Sequence, residues 1–220
     1  MTWLLKDLED NLFVTREWGR PVDLERYWFS HGGVTIQPNL MDLALDYLRR
    51  GQVKHALRAL FNNFGASLYP DVRTFTEHPV TELGHGVGPF YKSSDESKAL
   101  IWLRHCLLHE EGDTLHLALG APQAWFATGQ PFGVHNMATS FGPISYQIAR
   151  SAQHTLITFQ RSADHPRASR LQAIAVHVRH PGDAVATSIH VDGVPLPALP
   201  VDNTVVVSSP PLSCQIDVVY

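Results

Sequence analysis

The apolar residues change period part-way along the chain, and no other feature constrains the fold as much. Up to about Gly112 they recur at helical spacing, and beyond it they alternate with a period of two. In QPNLMDLALDYLRRG, Leu40, Leu43, Ala44, Tyr47 and Leu48 fall on one face of a helix. Pro38 suits its first turn, Arg49 and Arg50 its negative C-terminal end, and Gly51 a left-handed cap. VKHALRALFNNFG then sets Val53, Ala56, Leu57, Leu60, Phe61 and Phe64 on a second stripe. Two amphipathic helices with so short a joint turn back on each other as an αα-hairpin. A third helix is predicted from about Ser94 to Glu110. Its apolar positions are Leu100, Leu103, Leu107, Trp102 and Cys106, and Ser93 with Glu96 occupies the places of a capping box. A shorter helix is expected in TWLLKDLEDNLFV.

After Gly112, the segments DTLHLALG, FGPISYQIARS, HTLITFQRS, LQAIAVHVRHP, AVATSIHVDG, NTVVVSSPP and CQIDVVY read as strands, separated by turn signals such as HPGD, DG and PP. Asp192-Gly193 behind Ile189-His190-Val191 suits a type I′ hairpin turn. Short strands at intervals of roughly 10 residues predict an antiparallel sandwich. The expected fold class is α+β: a domain of antiparallel helical hairpins over 1–112, then an antiparallel β-sandwich over 113–220. A hinge is expected around Glu111 to Thr114.

Charge and composition remove several function classes. The 220 residues carry a net charge of −4 with no block of Lys or Arg, so no nucleic-acid partner is expected. No apolar run approaches the roughly 20 residues that cross a bilayer, so no membrane partner is expected. The start MTWLLKDLEDN lacks the basic region and long apolar run of a signal peptide, which makes the cytoplasm the default location. Cys106 and Cys214 lie far apart without a CxxC, which supports neither a disulfide scaffold nor structural zinc. His105 and His109 have the spacing of HExxH, but no glutamate stands between them and no third ligand is evident. Neither a metal nor a cofactor is expected. Phosphate-binding and dinucleotide-binding glycine fingerprints are absent, and Ser140 lies outside any G-x-S-x-G elbow.

Three stretches carry a family resemblance. They are GGVTIQPNLMDLALDYLRRGQVKHALRALFNNF, FTEH with GHGVGPFYKSSDESKALIWLRHCLLHEEGDTLHLALGAPQAWF, and IAVHVRHPGDAVATSIHVDGVPL. From about Ser30 onward the chain resembles the C-terminal part of six-hairpin (α/α)-toroid glycoside hydrolases, in which a β-sandwich follows the last barrel hairpins. The resemblance implies a partial toroid, a carbohydrate substrate and hydrolysis by carboxylate acid/base chemistry. A complete toroid needs about a dozen helices of about 11–12 residues. The chain is therefore a C-terminal fragment, one subunit of a split enzyme, or a reduced relative that must oligomerise. Apolar helix faces left open by an incomplete ring make a homo-oligomer the expected partner, or else a missing N-terminal region or subunit.

FTEHPVTELGHGVGPFYKSSDES is the candidate site. Glycosidic hydrolysis takes one carboxylic acid to protonate the leaving oxygen and a second carboxylate to activate water or attack the anomeric carbon. Toroid glycosidases place such carboxylates on loops at the barrel mouth, which points to Glu77 as acid and Glu82 as partner. Phe75 and His78 around Glu77 would lower the local dielectric and raise its pKa. Gly84, Gly86 and Gly88 permit close backbone approach, and His78, His85, Phe90, Tyr91 and His31 are candidate sugar-binding residues. Asp95 and Glu96 read as helix-capping residues, and Trp125 and Phe126 as residues that dock the sandwich onto the helices before sugar-stacking ones. Three alternatives stay open: a glycosidase, a non-catalytic β-sandwich that binds a carbohydrate or a partner, and hydrolysis of another ester- or ether-like bond on the same scaffold.

Overall fold

The computed structural model describes residues 43–69, 74–75, 78–80, 85–87, 93–127, 129–196 and 204–220. The chain divides into two compact units, Met1–Arg104 and His105–Tyr220. It is a mixed α+β protein with few helices and two sheets in its second unit. A toroid of helical hairpins is not what the described residues display.

In the first unit, α1 (Leu43–Arg49) and α2 (Val53–Ser67) form the expected helical hairpin. Gly51, at φ +70°, makes the joint, and its N–H donates to the Leu48 carbonyl at 2.9 Å. Ala44, Leu45, Tyr47 and Leu48 are buried on α1, and Ala56 and Leu60 on α2, whereas Phe61 is exposed. Two short ladders follow, β1 (Leu68–Tyr69) with β2 (Thr74–Phe75) and β3 (His78–Val80) with β4 (His85–Val87). Helix α3 spans Ser93–Leu107. Ala99, Trp102 and Cys106 are its buried positions; Leu100, Ile101 and Leu103 are exposed, so the buried stripe is narrower than the apolar pattern predicts. The helix TWLLKDLEDNLFV lies outside the described residues.

The second unit is sandwich-like. One sheet has four strands in the order β13-β10-β6-β5, the other six in the order β12-β11-β14-β9-β8-β7. The strands are β5 (Leu108–Glu111), β6 (Thr114–Leu117), β7 (Phe132–Met137), β8 (Ile144–Arg150), β9 (His154–Arg161), β10 (Ala173–His177), β11 (Ser188–Val191), β12 (Val194–Pro195), β13 (Thr204–Ser208) and β14 (Ser213–Val219). A short helix, α4 (Gln123–Ala127), links the layers. Alternation sends Leu115, Leu117, Ile174, Val176, Val205 and Val207 of the smaller sheet and Ile144, Ile148, Ile157, Phe159, Ile216 and Val218 of the larger into one apolar cluster. Each such side chain stabilises the fold by about 1.5–3 kcal/mol relative to exposure.

All seven segments that read as strands are strands. The Asp192-Gly193 turn has φ of 50° and 79° and joins the paired Val191 and Val194, the geometry of a type I′ hairpin. Three features depart from expectation. Leu108–Glu111 is a strand and not the last turn of α3, and residues 111–114 close the β5–β6 hairpin, Glu111 pairing with Thr114. The smaller sheet is not wholly antiparallel, because β6 and β10 run parallel. Between them the chain crosses to the other layer for three strands and returns at the end where β6 began.

Candidate functional site

The sequence-predicted site is only partly within the described residues. Glu77, Glu82, Phe90, Tyr91 and His31 lie outside them. His78 and His85 belong to the β3–β4 ladder, where His78 is opposite Val87 and Val80 opposite His85, so the two histidines occupy opposite ends of the ladder. Two other arrangements, both in the second unit, have complete geometry.

The first is a groove of about 370 Å³ on the outer face of the six-stranded sheet. Positions that alternate with the core residues of β8 and β9 point away from the sandwich: Ser145 and Gln147 on one, Thr158 and Gln160 on the other. Register aligns them in rows, Gly133–Gln147–Thr158–Gln215 and Ser145–Gln160–Ser213. A bulge between Val134 and Met137 shapes the rim. At the bulge Asn136 takes φ 51°, and its N–H donates to Ser145 Oγ at 2.8 Å. Gly133 makes the floor possible, since a Cβ there would lie 2.0 Å from the Tyr146 carbonyl oxygen. The lining holds amides, hydroxyls and His135, with no Asp, Glu, Lys or Arg. Such a surface can donate to and accept from neutral hydroxyl groups, and it has no fixed charge to attract an ion.

The second is a polar row on the outer face of the four-stranded sheet, with one residue on each strand. Glu111 Oε2 lies 3.2 Å from His116 Nε2. His116 Nδ1 lies 3.0 Å from His177 Nε2, and His177 Nδ1 3.2 Å from Thr204 Oγ1. The carboxylate can only accept, so His116 Nε2 donates to it. His116 Nδ1 then accepts from His177 Nε2–H, and His177 Nδ1 accepts from the Thr204 hydroxyl. Two neutral imidazoles in these tautomers satisfy every contact of the row. Sequence reasoning missed it: alternation marks His116 and His177 as outward-facing, but only the pairing of β6 with β10 brings them together.

His105 and His109 touch through Nδ1 at 3.0 Å, but His109 belongs to β5 and does not share the helix; it is buried at 4% exposure and sits opposite His116. Among the described residues no group of three or more His, Cys, Asp or Glu side chains is placed to hold a metal ion. Trp125 and Phe126 both pack edge-on against Phe132, within the second unit. Ser140 donates from its hydroxyl and its N–H to Glu110, and so belongs to a turn. Burial pushes the Cys106 and Cys214 thiols up to about 11, which leaves both unreactive near neutral pH. Burial likewise raises the Tyr146 phenol, whose hydroxyl donates to the Leu107 carbonyl at 2.6 Å. Among the described residues no helix is long and apolar enough to cross a membrane. No protein-family profile matches the chain, and no curated protein is significantly similar to it.

Proposed function

We propose that the chain is a carbohydrate-handling protein whose sandwich unit holds a neutral sugar in the groove of the larger sheet. The observation that carries this reading is the uncharged row of Ser145, Gln147, Thr158 and Gln160, aligned across two adjacent strands above a floor opened by Gly133. A sugar presents hydroxyls that both donate and accept, and amide and hydroxyl side chains match them without the desolvation cost of a charge. Titration of the whole chain with neutral oligosaccharides, followed by amide chemical shifts, tests it. Saturable changes confined to β7, β8 and β9 at about millimolar affinity are expected. No change for any oligosaccharide would refute the reading.

A second reading is hydrolysis by the pair Glu77 and Glu82, in keeping with a partial (α/α) toroid. It draws on the β3–β4 ladder, which begins one residue after Glu77 and brackets the connection containing Glu82. Turnover of nitrophenyl glycosides, abolished in a folded Glu77→Gln variant, would support it. In either reading a second copy of the chain covers the exposed Leu100, Ile101 and Leu103 of α3.

A further inference from the structure

At the far end of β8, Arg150 meets a turn that fixes the protonation of a histidine. In the HPGD turn the Asp183 N–H donates to the His180 carbonyl at 3.0 Å, and Asp183 takes φ 55°. Gln123 clamps the turn from α4, donating to the His180 carbonyl at 2.7 Å and to Asp183 Oδ1 at 2.8 Å. Within the turn, His180 Nδ1 accepts from the Gly182 N–H at 3.0 Å and the Ala184 N–H at 3.3 Å. A ring whose Nδ1 accepts carries its proton on Nε2. Burial and the neighbouring Arg150 guanidinium lower the pKa of His180, with Asp183 opposing, so the ring favours this neutral tautomer.

That Nε2–H points at another donor. His180 Nε2 lies 2.6 Å from Arg150 Nη2, and two N–H groups face each other without an acceptor. Arg150 Nε, which shares one edge of the guanidinium with Nη2, is buried and has no hydrogen-bond partner. Among the described residues no carboxylate comes within ion-pair distance of Arg150. Three donors therefore converge on one spot: Nε and Nη2 of Arg150, and Nε2 of His180. The Tyr220 ring closes one side, 4.5 Å from the His180 ring. An edge of two parallel N–H groups is the fork that receives a planar carboxylate or two oxygens of a phosphate.

We propose that Arg150 and His180 form a binding site for an oxyanion, two of whose oxygens take the Nε/Nη2 edge of Arg150 while one also accepts from His180 Nε2–H. The ligand separates the facing donors and satisfies the buried Nε. It is a group distinct from the neutral sugar of the groove, and the site does not depend on that reading.

The test uses the full chain, isotopically labelled, with the His180 ring followed by NMR. Sodium acetate, inorganic phosphate and sodium chloride are added in parallel at matched ionic strength. A saturable shift of the His180 ring with acetate or phosphate, accompanied by a rise in its pKa, is expected, because a bound anion favours the imidazolium. Response to acetate alone assigns a carboxylate, and response to phosphate alone assigns a phosphoryl group. Arg150→Lys, which keeps the charge and loses the fork, should weaken binding at least about tenfold. Arg150→Gln should abolish it. No response beyond the chloride series, or an unchanged response in Arg150→Lys, overturns the site. The wild-type chloride control and Arg150→Lys decide the matter even if Arg150→Gln fails to fold.

Discussion

Glu111 and Thr204 stand on opposite edge strands of the four-stranded sheet and are joined through two imidazoles, His116 and His177, whose facing nitrogens lie 3.0 Å apart. The row is polar in one direction only, each group donating toward Glu111. Truncating an inner member breaks two contacts of the row, whereas the Glu111 end is 70% exposed and water can replace it. His116→Ala and His177→Ala should each cost about 1–3 kcal/mol. Glu111→Gln should cost under about 1 kcal/mol. Denaturant unfolding of the variants checks the order, and a double-mutant cycle on the two histidines should return a coupling of about 0.5–3 kcal/mol.

Gly133 has no room for a side chain. Its Cβ would meet the Tyr146 carbonyl oxygen at 2.0 Å and Gln147 Cα at 2.9 Å, both backbone atoms of the paired strand. Gly133→Ala should push β7 off β8 at a cost of about 1–3 kcal/mol, and it should weaken sugar binding in the groove beyond that loss of stability. Thermal unfolding together with an oligosaccharide titration separates the two effects.

In the groove itself, Gln147→Ala and Thr158→Val remove hydrogen-bonding groups from exposed positions of two strands. Stability should move by no more than about 0.5 kcal/mol. Sugar affinity should fall about tenfold or more in the double variant. Equal affinity in variant and parent, measured by calorimetry, would place the sugar elsewhere.

Protonation of His180 should oppose folding. Its pKa is lowered in the folded chain, chiefly by burial and then by Arg150, so the unfolded chain binds more protons in the window below the ordinary histidine value of about 6.5. Stability from this residue is present above that value and is lost as pH falls toward the folded-state pKa. His180→Asn should therefore lose less stability than the parent between neutral pH and pH about 5. Melting temperatures at the two pH values provide the comparison, and saturating acetate or phosphate should shrink the parent's loss if the oxyanion site is correct.

The exposed Leu100 and Leu103 of α3 should drive a concentration-dependent association. Light scattering should find a dimer for the parent and a monomer for the double variant Leu100→Glu, Leu103→Glu. A parent that stays monomeric at high concentration would refute the second copy.

Much of the fold was legible because alternation is a local signal. Ile144, Tyr146 and Ile148, or Cys214, Ile216 and Val218, announce a buried face within a single segment. The Asp-Gly turn was equally plain, since both residues must take positive φ. β7 escaped because its bulge interrupts the alternation between Val134 and Met137, and β5 because Leu107 and Leu108 prolong the helical pattern of α3. The parallel pairing of β6 with β10 left no local trace, for it depends on the path of the chain through the other layer. The groove and the histidine row were hidden for the same reason. Gln147 and Thr158, or His116 and His177, are ordinary outward residues until register sets them side by side. The loop with Glu77 and Glu82 was read from composition and resemblance, and those residues lie outside the described ones.

β14 follows both β9 and β11 in the chain, yet it lies between them inside the larger sheet. A ribosome making this protein must release those residues before the layer has a middle. Until then β9 shows the cell an unsatisfied edge of peptide groups, a surface to which other strands can adhere. Removing Ser213–Val219 would thus divide the sheet and not merely trim it, and the shortened product should be recovered as aggregate.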